Sequence, residues 1–65
     1  MNSSQRKDLY NTGSRNGLKT SDKNPNVQYS NGHRVIHTGE NTTIIDGKKY
    51  HGHQDAKNAL NNLNG

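Results

Sequence analysis

The sequence predicts an α+β mini-domain. An extended or disordered N-terminal arm, residues 1–32, precedes a small ββ(β)α unit, residues 33–65. Three observations lead there: a compositional shift near Gly32, an Asp46-Gly47 dipeptide between two β-prone runs, and apolar residues at i, i+3, i+4 and i+7 near the end.

The arm comes first. Residues 1–32 carry Met1, Leu9, Tyr10, Leu18, Val27 and Tyr29 as their apolar side chains, with no helical or strand period. Asn, Ser, Gly, Lys and Arg fill the gaps, the composition of a segment with too little to bury for stable order. Asn24-Pro25-Asn26 reads as a turn, and Val27-Gln28-Tyr29 alternates over three residues, enough for an added edge strand at most.

The second half reads as a meander of two or three antiparallel strands. His33 to Thr38 is β-prone, Gly39-Glu40-Asn41 can turn, and Thr42-Thr43-Ile44-Ile45 is β-branched throughout. Asp-Gly suits a two-residue hairpin loop that needs positive φ at both centres. It would pair Ile45 with Lys48, Ile44 with Lys49 and Thr43 with Tyr50. A three-residue first loop would set Val35 beside Ile45, placing Val35, Ile45 and Tyr50 on one face. After Gly52, Ala56, Ala59, Leu60 and Leu63 mark one face of a short helix, with Asp55 at its positive end. So short a helix must pack on something to persist.

Composition narrows function. Of 65 residues, 23% are apolar, and Trp, Phe and Cys are absent. Disulfides and thiolate metal sites are excluded, and a core this small offers little room for a catalytic pocket. The expectation is a protein that is not an enzyme and needs no cofactor. No apolar run exceeds two residues, so neither a membrane span nor a secretory segment is expected. The expected location is the cytoplasm or the interior of a large assembly.

Four histidines, His33, His37, His51 and His53, are the only metal candidates, and weak ones. Zinc sites commonly combine His with Cys or carboxylate, and Gly52 interrupts the strand that would align the last pair. Histidines at strand ends are the simpler reading.

Two binding functions remain. The first is a structural accessory subunit, in a virion or another multi-copy complex, whose arm orders on a larger protein partner or on a second copy. Its partner-binding anchors would be Leu9, Tyr10, Leu18, Val27 and Tyr29. The alternative is a basic nucleic-acid-binding accessory protein, in keeping with the net charge of +4. Arg6, Lys7, Arg15, Lys19 and Lys23 would track phosphates from the arm, and Lys48, Lys49 and Tyr50 would extend the patch onto the hairpin. No nucleic-acid-recognition motif is present.

Overall fold

The computed structural model describes residues 1–30 and 32–63. Two helices and five strands follow one another as α1 (Ser3–Arg15), β1 (Lys19–Thr20), β2 (Val27–Ser30), β3 (His33–His37), β4 (Thr42–Ile45), β5 (Lys48–His51) and α2 (His53–Asn61). The strands form one antiparallel sheet in sequence order, β1-β2-β3-β4-β5.

This overturns the predicted fold class in two respects. The meander has five strands rather than two or three, and residues 1–32 are no arm: they supply α1, β1 and β2. The physical reason lies in how α1 is built. Its start is fixed by a capping box, in which Gln5 N donates to Asn2 Oδ1 (2.8 Å) and Asn2 N donates to Gln5 Oε1 (3.1 Å). Its buried face is Leu9, Thr12 and Gly13. One leucine and two small residues make no hydrophobic stripe. The helix is held by close approach and polar contacts, to which an apolar period is blind.

Both helices lie on the same face of the sheet. Residues paired across antiparallel strands share a face, as do residues two apart on one strand. The pairs Gln28↔Val35, Val35↔Ile45 and Ile45↔Lys48 therefore define one face. On it Val35 and Ile45 join Leu9 of α1, Ala56 and Leu60 of α2, and Leu18 in a single core, with Tyr50, Ala59 and Leu63 packed around it. The β4–β5 turn has Asp46 at φ 52° and Gly47 at φ 86°, as a hairpin loop with two positive-φ centres requires.

The two helices also hold each other. Asp8 Oδ2 of α1 takes His53 Nε2 at 2.6 Å and Lys57 Nζ at 2.9 Å, both from α2. Asn16 Nδ2 donates to Asn61 Oδ1 (3.1 Å). Hydrogen bonds from Lys57 first and His53 next hold the Asp8 carboxyl below the usual carboxylate range.

Part of the layer under the sheet is polar, with Thr12, Gln28, His37 and Thr43 buried. Gln28, fully buried, donates from Nε2 to the Tyr10 carbonyl (3.1 Å) and the Ser14 hydroxyl (3.4 Å). Its Oε1 lies 2.9 Å from His37 Nε2. The His37 ring stacks on Tyr10 with centroids 4.0 Å apart. No buried side-chain polar atom among the described residues lacks a partner, so this polar layer costs little beyond desolvation.

Candidate nucleic-acid interface

Neither helix covers the opposite face of the sheet. The register Lys19↔Tyr29↔Arg34 sets an aromatic ring between two cations on three adjacent strands. The next row is Val27↔Ile36↔Ile44↔Lys49, and the last is Thr42↔His51. At about 4.8 Å between strands, the first row spans roughly 10 Å. Tyr29 is 47% exposed, the one large hydrophobic residue in that state among the described residues. Ile36 and Ile44 are half-buried, while Lys19, Arg34 and Lys49 are exposed.

Val27 explains how an apolar residue can be buried here without joining the core. It is 7% exposed yet outside the core cluster. The β1–β2 loop folds back on it: Ser21 N donates to the Val27 carbonyl (2.9 Å), and Val27 N donates to the Asn24 carbonyl (3.0 Å).

The electrostatics of the sheet are one-sided. Its strands carry Lys19, Arg34, Lys48 and Lys49 and no carboxylate. Asp46, in the turn after β4, is engaged elsewhere. Its Oδ2 meets His33 Nδ1 at 2.8 Å, and its Oδ1 accepts from the Arg34 amide at 2.8 Å. The His33 bond and then the Arg34 N–H hold the Asp46 carboxyl below its ordinary range. Such a face attracts polyanions, and the apolar floor between its cations suits planar bases.

The residues singled out from sequence are divided among several places. Of the five anchors, Leu9 and Leu18 lie in the core and Val27 beneath the β1–β2 loop. Tyr10 stacks on His37, and Tyr29 stands on the open face. Of the cations, Lys19 and Lys49 share that face, joined by Arg34, which sequence reasoning missed. Alternation along β3 could have found it, because Val35 as a core residue sends Arg34 outward. Arg6 and Lys7 lie on the first turns of α1, in the other layer, and Lys23 lies in the β1–β2 loop. Lys48 and Tyr50 share the helix side, the ammonium 5.5 Å from the ring centroid. Arg15 is at the end of α1, where Nη2 donates to Thr12 Oγ1 (3.1 Å).

The four histidines are dispersed. His33 meets Asp46, His37 meets Gln28, His51 Nδ1 lies 3.2 Å from Thr42 Oγ1, and His53 meets Asp8. Among the described residues no group of three or more His, Asp or Glu could hold a metal ion. Burial, aided by the charge of Arg6, pushes His37 down to about 4, so the ring is neutral at pH 7. Among the described residues no helix is long and apolar enough to cross a membrane. No family model, curated protein or solved structure matches the chain.

Proposed function

We propose that this protein is a non-enzymatic binding module for single-stranded nucleic acid, which lies across the open sheet face. The observation that carries the reading is the row Lys19–Tyr29–Arg34, a ring flanked by two cations on strands that carry no carboxylate. A base stacks on Tyr29 and its neighbours rest on Ile36 and Ile44, while Lys19, Arg34 and Lys49 take the phosphates. Duplex would leave the ring and the isoleucines unused, since its bases are already stacked, so the face favours single strands.

Anisotropy titration with labelled single- and double-stranded oligonucleotides tests this. Binding should favour the single strand, with a log–log salt slope near about −2 for three cations at roughly −0.7 each. Tyr29→Ala should weaken it by about 1–3 kcal/mol. Equal or better binding of duplex, or indifference to Arg34→Gln with Lys49→Gln, sinks the reading.

The half-buried neighbours Ile36 and Ile44 favour one other occupant, a second copy of this chain, because an assembly subunit buries such apolar residues. Sedimentation of the free protein decides: a dimer whose formation protects the Ile36 and Ile44 amides would put self-association first.

A further inference from the structure

A cleft of about 730 Å³ opens where the end of α1 meets β1, β2 and the start of β3. Its chemistry comes from Arg15, Lys19, Tyr29, Ser30 and His33, and no carboxylate lines it. The size is that of a small-molecule site. Lys19 and Tyr29 belong equally to the open face, so the cleft continues the Lys19–Tyr29–Arg34 row past the end of the sheet.

We propose that this cleft binds the phosphorylated terminal nucleotide of a strand, its base against Tyr29 and its phosphomonoester between Arg15 and Lys19. This rests on the single-strand reading above. A monoester carries close to two negative charges at neutral pH, whereas an internal phosphodiester carries one. Two cations suit the dianion; the Asp46 carboxylate, which does not line the cleft, is bound to His33. The Arg15 guanidinium is already tethered to Thr12 Oγ1, and its remaining N–H groups are fixed in a fork that fits phosphate. His33 is likewise oriented, with Nδ1 held by Asp46. Gly17 forms the wall at φ 91°, and a Cβ built there meets nothing within 4 Å, so backbone is open to the ligand. The carbonyl end of α1 opposes an anion at this place. The selectivity must therefore come from the side-chain cations, which makes it removable by substitution.

The experiment compares one oligonucleotide with 5′-phosphate, with 3′-phosphate and with hydroxyls at both ends. One phosphorylated form should bind about tenfold tighter or more than the hydroxyl form, as expected of a charge-assisted contact. Arg15→Gln should erase that difference and leave the hydroxyl form unchanged. Arg34→Gln should weaken all three alike. Equal affinity for the three forms overturns the proposal even where the single-strand reading stands. If no oligonucleotide binds, a nucleoside monophosphate titrated against the free protein by NMR still decides. Shifts at Gly17, Lys19 and Ser30 that the unphosphorylated nucleoside does not cause would uphold the cleft, and their absence would end it.

Discussion

His37 Nε2 lies 2.9 Å from Gln28 Oε1, and both side chains are buried between α1 and the sheet. Because Gln28 spends its amide N–H groups on the Tyr10 carbonyl and the Ser14 hydroxyl, its oxygen faces the histidine. The imidazole must therefore donate from Nε2, which it can do while neutral. Protonation would put a charge into a site closed to water.

Stability should accordingly fall with acid in a defined window. The unfolded chain takes up a proton on this histidine near 6.5, while the folded ring resists until about 4. The unfolded state thus binds more protons between those values, so folding stability is full above 6.5 and is lost progressively down to about 4. The loss is on the order of 3 kcal/mol. Urea melts at intervals between pH 7 and 4 measure it, and His37→Gln should flatten the curve in that window. The carboxyls of Asp8 and Asp46, both held below 3.8, act separately: their contribution is present above 3.8 and disappears further into acid.

Gly13→Ala probes the same polar layer from the helix side. In an exposed helix the change would add about 1 kcal/mol. Here the new methyl group would collide with Gln28 Oε1 and crowd Leu18 Cδ1 at 3.1 Å. The glutamine cannot yield without losing His37. A net destabilisation of about 1–3 kcal/mol is expected, read as a lower urea midpoint at unchanged slope.

The Asp8 clamp between the helices should be salt-sensitive. Asp8→Asn removes the charge that faces Lys57 and His53. The melting temperature should drop at low ionic strength and the gap to the parent should shrink in concentrated salt. A double-mutant cycle with Lys57→Gln isolates the pair. A gap unchanged by salt would mean the clamp acts through packing instead.

Gly47→Ala tests the hairpin. Gly47 sits at φ 86°, where an L side chain is strained whatever the space around it. The cost should be about 1–2 kcal/mol, seen in denaturant melts with no change in oligonucleotide affinity.

What was legible in the sequence was whatever depended on local chemistry. Asp46-Gly47 announced its turn, and the turn set the pairs Ile45↔Lys48 and Ile44↔Lys49. The apolar spacing at Ala56, Ala59 and Leu60 marked α2. What stayed hidden was α1, whose buried face is Leu9, Thr12 and Gly13, and the place of β2 inside the sheet rather than at its edge, with Gln28 buried by partners from distant elements. Polar residues that satisfy one another across the fold resemble solvent-exposed ones until the partners are known. The same blindness hid the open face, since Arg34 and Tyr29 become neighbours only once β2 exists as a strand.

The contact between α1 and α2 has a bearing on how the chain matures. Leu9 near one end and Leu60 near the other close a single core, with Asp8 gripping residues 45 and 49 positions downstream. A ribosome-bound chain that has made α1 and all five strands can set Leu9 and Leu18 against Val35 and Ile45 but still lacks Ala56 and Leu60. The sheet would stand with part of its apolar face bare until residues 53–61 are free to pack. Closure of the core thus waits for α2, and synthesis interrupted before it would leave that core open to proteolysis.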